Sequence, residues 1–244
     1  MNSGGLSRFR RVLVAGASGG IGQALLHALN SEPVEGRKLY GVSRSQMPDL
    51  PGVEWLPWNA NQPELLGKRL AQADFCPDLV IACMGKLHQS ERGPEKKLAE
   101  FDAGWCEELM WANCYSHLAL ASALQPLLKR DKELVWLSLS AMVGSIGDNH
   151  LGGWYSYRMS KAALNMAMKN LSIEWARRFP LSSVNLVHPG TTDTALSKPF
   201  QRNIPASRLY NSDQTAHRIL QVAAQANSAE TGSFYHWDGS KLPW

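Results

Sequence analysis

The sequence predicts a doubly wound α/β domain, a mostly parallel sheet of about seven short strands with helices on both faces. Three observations predict it. Short apolar runs alternate with helical patterns along the chain. A glycine-rich turn joins the first strand to the first helix. The length, 244 residues, suits one such domain over 1–244 rather than two.

Residues 1–8 read as a loose tail. Val12–Ala15 is a buried strand, and residues 21–30 form a helix with apolar positions 21, 25, 26 and 29. Lys38–Val42 and Val53–Leu56 are the second and third strands, and Asp78–Met84 is the fourth, followed by Gly85. A long helical pattern over about 98–129 is expected to break near Gly104. Glu133–Leu139 is the fifth strand, and a helix over 155–179 is ended by Pro180. Ser183–Val187 is the sixth strand. A loop-rich stretch over 191–211 precedes a helix over about 213–226, and Ser233–Trp237 is the last strand. In such a sheet the ligand belongs outside the carboxyl ends of the strands.

Composition excludes several classes. Hydrophobic residues make up 44% and charged residues 19%, an ordinary globular balance. The net charge of +4 is mild, and no run of Lys or Arg exceeds two, so no nucleic-acid partner is expected. The cysteines at 76, 83, 106 and 114 form no CxxC pair and no zinc-spaced cluster with histidine. They read as reduced thiols of a cytoplasmic protein that holds no metal. No apolar run reaches membrane-spanning length. Arg8, Arg10 and Arg11 before Val12–Ala15 imitate a leader, but the run ends in glycines, so none is expected.

The turn after the first strand reads Ala15-Gly16-Ala17-Ser18-Gly19-Gly20-Ile21-Gly22. Glycines let the backbone approach a phosphate and adopt positive φ, and the free N–H groups of the following helix favour an anion. This is a nucleotide-binding turn, with Gly16, Ser18, Gly19, Gly20, Ile21 and Gly22 as candidate contacts. At the end of strand 2 the usual dinucleotide pattern places an acidic residue on the adenosine ribose. Here Ser43-Arg44 stands there and no Asp or Glu occurs from 37 to 48. A guanidinium accommodates a 2′-phosphate bidentately, so NADP(H) is the preferred cofactor and NAD(H) remains possible. The bland alternative is a solvated loop arginine.

Tyr157 and Lys161 lie four apart within a strong helical pattern and so share a face. A phenol titrates near pH 10 and is a poor proton donor at neutrality, unless a neighbouring ammonium lowers its pKa. So placed, the pair can give a proton to a carbonyl oxygen or take one from an alcohol.

Together these features resemble the short-chain dehydrogenase/reductase superfamily over essentially the whole chain. The stretches Gly144–Asn149 and Gly152–Asn165, His188-Pro189-Gly190-Thr191, and the ending Trp237-Asp238-Gly239 to Pro243-Trp244 look like the subgroup of C-factor and sniffer-type carbonyl reductases. The resemblance implies further roles. The family's glycine turn falls on 15–22 with Ala15 in place of Thr. Its adenine-binding Asp after strand 3 falls in Trp58-Asn59-Ala60, where Asn59 can still donate and accept. Its NNAG block falls on Ala82-Cys83-Met84-Gly85, which keeps Gly85 beside the ribose but lacks both asparagines. Its PGxxxT loop falls on Pro189, Gly190, Thr191, Thr192 and Thr194 and would hold the nicotinamide amide.

The family's catalytic Asn falls on Asn113, implied to bend its helix and hold a water that passes protons toward Lys161. Its catalytic Ser aligns on Ala141. Either Ser140 takes that role through a one-residue shift, which is the preferred reading, or Ser145 substitutes, or no serine is present. Trp154 either lines the substrate site or only packs.

Two functions follow from the resemblance. One is a hydride-transferring reductase acting on a small-molecule carbonyl or alcohol, with Tyr157, Lys161, Asn113 and Ser140 as its catalytic set. The other is a nucleotide-binding regulatory or signalling protein with little turnover, suggested by Ala141 and the missing asparagines. A serine hydroxyl within about 3 Å of the Tyr157 hydroxyl supports the first, and a filled apolar site there supports the second. Apolar residues on more than one side of the two long helices, with the family's habit of pairing them, imply a homodimer or homotetramer.

Overall fold

The computed structural model of the protein describes residues 5–45, 49–90 and 92–244. Its strands are β1 (Arg11–Ala15), β2 (Lys38–Ser43), β3 (Val53–Pro57), β4 (Leu79–Ala82), β5 (Leu134–Leu139), β6 (Ser182–His188), β7 (Thr191–Thr192), β8 (Leu209–Tyr210) and β9 (Phe234–His236). Its α-helices are α1 (Gly20–Ser31), α2 (Pro63–Gln72), α3 (Ala103–Met110), α4 (Ser116–Leu124), α5 (Tyr155–Arg178) and α6 (Ser212–Gln225). Seven strands form one sheet in the order β3-β2-β1-β4-β5-β6-β9, and every pairing in it is parallel. The order reverses between β1 and β4, which opens a crevice at their carboxyl ends.

Period-two alternation explains how the sheet is sandwiched. In β5, Leu134 and Trp136 face a core shared with α2, α4 and α5. Val135, Leu137 and Leu139 face a second core shared with α1 and α6. Trp136 meets Trp175 of α5 edge to face at 5.6 Å, the offset geometry that aromatic quadrupoles favour. Both faces are thus buried, as a parallel sheet requires.

The structure refines the expected elements in two places. The helix α2 carries no prediction above. Pro63 opens it at the first turn, and Gly67 sits where an added Cβ would lie 2.7 Å from the Ala123 carbonyl oxygen, so the helix gives up a side chain for close approach to α4. The pattern over 98–129 does break near Gly104. Its break lies before α3, where Asp102 caps the helix by accepting from Trp105 N–H at 2.7 Å. A π-helical turn, Trp111–Tyr115, then joins α3 to α4.

Candidate active site

The turn between β1 and α1 is built for close backbone approach. Gly16 has φ 75°, and a Cβ there would lie 2.8 Å from the Cys83 carbonyl carbon. A Cβ on Gly22 would lie 2.5 Å from the Gly16 carbonyl oxygen. The N-cap residue of α1, Gly19, supplies no side-chain cap, and no acidic residue stands in the first turn. The helix therefore presents its N-terminus to an anion. Thr194 packs beside this turn, since a Cβ on Gly20 would lie 3.0 Å from its Cγ2.

A groove of about 710 Å³ runs from this turn along the strand ends. Gly16, Ser18, Gly19, Ser43, Arg44, Asn59 and Gly85 all line it. At the β2 end, Ser43 Oγ donates to the Ser45 carbonyl at 2.8 Å, and Arg44 is exposed. At the β3 end, Asn59 Oδ1 accepts from Asn61 N–H at 3.1 Å. Volume, turn and charge fit a dinucleotide.

The groove leads to a buried polar network. Lys161 and Asn113 are 4% and 0% exposed. Asn113 Oδ1 accepts from Lys86 N–H at 2.6 Å, and its Nδ2 donates to the Lys86 carbonyl and to Ser160 Oγ, both at 2.9 Å. The π turn places this side chain, because the extra residue it accommodates re-aims the helix locally. A Cβ on Gly85 would lie 3.3 Å from Asn113 Oδ1 and 3.7 Å from Lys161 Nζ, so Gly85 brings the backbone close to both side chains. Lys161 Nζ donates to the Leu139 carbonyl at 3.0 Å and lies 6.0 Å from the centre of the Tyr157 ring. Burial pushes the Lys161 ammonium down to about 8. Burial also pushes the Tyr157 phenol up, so in this arrangement desolvation outweighs the lowering expected from Lys161.

The serines after β5 separate by direction. Ser140 Oγ donates to Asn165 Oδ1 of α5 at 2.6 Å. Ser145 Oγ accepts from Asp148 N–H at 3.1 Å. Ala141 instead packs in a third apolar cluster, with Tyr157, Leu87, Trp105, Leu109 and Trp154, and with Leu196 and Phe200 from the segment between β7 and β8. Ser138 and Ser140 continue the face that carries Trp136, and Ala141, past the end of β5, lies against Tyr157 at the start of α5.

Beyond β6, Pro189 and Gly190 follow His188, and Gly190 has φ 77°. Thr191 and Thr192 pair with Leu209 and Tyr210, and Thr192 Oγ1 bonds Thr215 Oγ1 of α6 at 2.8 Å. Burial pushes the His188 imidazole down to about 4.

His117 and Ser138 carried no prediction from the sequence. His117 Nε2 lies 3.1 Å from the Met84 carbonyl, and Nδ1 lies 3.1 Å from Ser138 Oγ. Because a carbonyl only accepts, Nε2 carries the proton and Nδ1 accepts from the serine. Trp136 Nε1 donates to the same Ser138 oxygen at 2.9 Å. This chain anchors the segment after β4, where the asparagines of the NNAG block are missing. A lone histidine in a helix gives no sequence signal for such a role.

A parallel sheet with a glycine turn at its switch point and a buried Tyr-Lys pair beyond it defines a dinucleotide-dependent oxidoreductase site. The comparisons agree. A family profile described as enoyl-(acyl carrier protein) reductase matches residues 69–239. Over 239 residues the chain is 29% identical to 1-hydroxy-2-glutathionyl-2-methyl-3-butene dehydrogenase of Rhodococcus sp. strain AD45, spanning 96% of this chain and 99% of that one. It is 32% identical over 133 residues to C-signal of Myxococcus xanthus, spanning 54% of this chain and 74% of that one. The fold is shared with carbonyl reductase Sniffer of D. melanogaster, at a TM-score of 0.82 and 21% identity over 96% of this chain and 99% of that one. It is also shared with the NADPH-bound carbonyl reductase from chicken fatty liver, at 0.78 and 21% over the same shares. The chain belongs to the short-chain dehydrogenase/reductase family of nicotinamide-dependent oxidoreductases.

Proposed function

We propose that the chain, as one domain over 1–244, is an NADP(H)-preferring carbonyl reductase or alcohol dehydrogenase. The observation that carries this reading is the buried pair Lys161 and Asn113 beside Gly85 at the end of the dinucleotide groove, with Tyr157 buried next to Lys161. When bound, the nicotinamide supplies two-electron chemistry at the substrate's carbonyl carbon. The rest is the work of this chain. Gly16 through Gly22 hold the pyrophosphate, and Thr194, beside them, joins Pro189, Gly190, Thr191 and Thr192 in closing the nicotinamide end. Ser43 and Arg44 face the adenosine ribose, and Asn59 the adenine. Lys161 binds the nicotinamide ribose beside Gly85.

Tyr157 gives its proton to the substrate oxygen. The phenol is protonated at neutral pH, and because burial raises its pKa and so weakens it as an acid, its role as donor rests on its place on the face of α5 shared with Lys161. Asn113 fixes the path by which Lys161 exchanges protons with solvent. Ser140 acts on α5 through Asn165, and the substrate oxygen receives its protein hydrogen bond from Tyr157, with Ala141 as apolar wall.

The second reading, a nucleotide-binding regulator without turnover, rests on Ala141 and the missing asparagines alone and draws no support from the relatives. The first reading is supported by the buried catalytic set and by dehydrogenase and reductase relatives. Purified protein with NADPH, screened against aldehydes, ketones and quinones by loss of nicotinamide absorbance, decides between them. Turnover that falls ~100-fold or more in Tyr157→Phe, as for a lost general acid, is the expected result. NADPH binding without turnover on any carbonyl returns the regulatory reading.

The four free cysteines suit a reducing cytoplasm. Exposed Trp111, Tyr115, Met159 and Met166 on the π turn and α5 support a homodimer or homotetramer packed through these helices.

A further inference from the structure

The loop between β4 and α3 carries Glu95, whose side chain is 4% exposed. Its carboxylate is committed to the start of α5. Ser156 N–H donates to Oε2 at 3.2 Å, and the Ser156 hydroxyl donates to Oε1. The Glu95 backbone carbonyl accepts from Trp154 N–H at 2.5 Å. The N-cap residue of α5, Trp154, provides no side-chain cap. A residue 61 positions away in the chain therefore satisfies the donors that a helix N-terminus leaves open.

What this clamp holds is unusual backbone. Gly152, Gly153 and Trp154 take φ of 65°, 63° and 52° in succession. A bulky residue in the left-handed region persists only where its surroundings over-determine it. The conformation aims the Trp154 ring at two neighbours, Tyr157 at 6.1 Å and Phe200 at 5.4 Å. A Cβ on Gly153 would lie 3.5 Å from the Glu95 carbonyl oxygen, so the loop and the helix start are in direct contact. Tyr157 follows Ser156 by one residue.

We propose that Glu95 is a positioning residue for Tyr157. Through Ser156 it sets the direction of the first turn of α5, and through the Trp154 amide it locks the indole that packs beside Tyr157. One anchor thus holds the proton donor and its aromatic neighbour in fixed relation. The proposal rests on the reading of Tyr157 as proton donor, and its test includes a readout independent of that reading.

The test compares Glu95→Ala, Glu95→Gln and the milder Ser156→Ala with the unmutated protein. Amide hydrogen exchange over residues 154–158 is read first, because local opening reports the clamp directly. NADPH dissociation constants from fluorescence and turnover of 4-nitrobenzaldehyde with NADPH are read second. The expected result for Glu95→Ala is faster exchange confined to 154–158, kcat lower by ~10-fold or more from misplacement of the donor, and NADPH affinity within about twofold. Glu95→Gln recovers most of both losses, because its amide oxygen still accepts from the Ser156 N–H and its NH₂ donates to the Ser156 hydroxyl. Ser156→Ala falls between the two. Unchanged exchange at 154–158 in Glu95→Ala overturns the proposal. So does a parallel loss of NADPH affinity and kcat that Gln does not rescue, because that marks a general loss of structure. If the unmutated protein reduces no carbonyl, the proton-donor reading fails separately, and the exchange data still decide whether Glu95 holds the helix start.

Discussion

Ser140 Oγ donates to Asn165 Oδ1 at 2.6 Å, and Asn165 Nδ2 donates in turn to the Gly144 carbonyl at 3.2 Å. The hydroxyl nearest the family's serine position is therefore spent on α5, one turn beyond Lys161, while Ala141 joins the apolar cluster around Tyr157.

That arrangement separates two substitutions. Ser140→Ala leaves the buried Asn165 oxygen without its donor and should cost about 1–3 kcal/mol of stability, read from denaturant midpoints, while kcat falls less than ~10-fold. Ala141→Ser introduces a hydroxyl beside Tyr157 and should raise kcat/KM severalfold. A drop of ~100-fold in kcat for Ser140→Ala at unchanged stability would return Ser140 to the substrate oxygen.

The proposed preference for NADPH rests on Arg44 at the β2 end. No Asp or Glu occurs from 37 to 48, and the Arg44 guanidinium is exposed to the groove. NADPH should bind at least ~10-fold tighter than NADH, the scale of one charge-assisted bond. Arg44→Ala should erase most of that difference and leave NADH affinity nearly unchanged. Equal dissociation constants for the two cofactors in the unmutated protein would refute the assignment.

Burial of Lys161 makes stability depend on pH with a definite sign. Its pKa is about 8 in the fold and 10.5 as the ordinary value. Between these, the unfolded chain binds a proton that the folded chain lacks, so stability rises with pH by about 1.4 kcal/mol per unit. The window closes near pH 9, where the unfolded Cys83 thiol begins to ionise while burial keeps the folded one protonated, a term of opposite sign that the Tyr157 phenol joins near pH 10. Urea unfolding from pH 8 to 9 should show that rise, and Lys161→Met should flatten it. An identical slope in the variant rules the assignment out.

Assembly is read from the outer helical faces. Trp111, Tyr115 and Leu118 are 48%, 41% and 39% exposed, and Met159, Met166 and Ile173 on α5 are 51%, 62% and 46% exposed. Light scattering at micromolar concentration should give a multiple of the 27.0 kDa chain mass. Met166→Glu with Trp111→Glu should return the monomer, since a buried unpaired carboxylate is costly. A monomeric unmutated protein would contradict the proposal.

Local pattern carried much of this site. The glycine turn lies within eight consecutive residues, and Tyr157 and Lys161 lie four apart on one helix, so helical geometry alone puts them on one face. Gly85 was placed through the family resemblance, and it stands three residues past the end of β4. Helix α2 was not readable, because Gly67 weakens its helical signal and earns its place only through contact with α4. The π turn was not readable either, since its residues suit an ordinary helix and the extra residue matters only once Asn113 must reach Lys86 and Ser160.

The sequence by itself determined the alternation of strands and helices, the phosphate turn at the first strand end, and the Tyr157–Lys161 pair. Each depends on residues close together in the chain, where backbone periodicity fixes direction. Only the tertiary structure decided that Ser140 serves Asn165, 25 residues away, and that Asn113 bonds Ser160, 47 away. It alone brought Glu95 to the start of α5 and His117 to the Met84 carbonyl. It alone decided that burial raises the Tyr157 phenol and lowers the Lys161 ammonium. Such contacts and desolvation costs arise when separate elements pack, and no local spacing encodes which faces will meet.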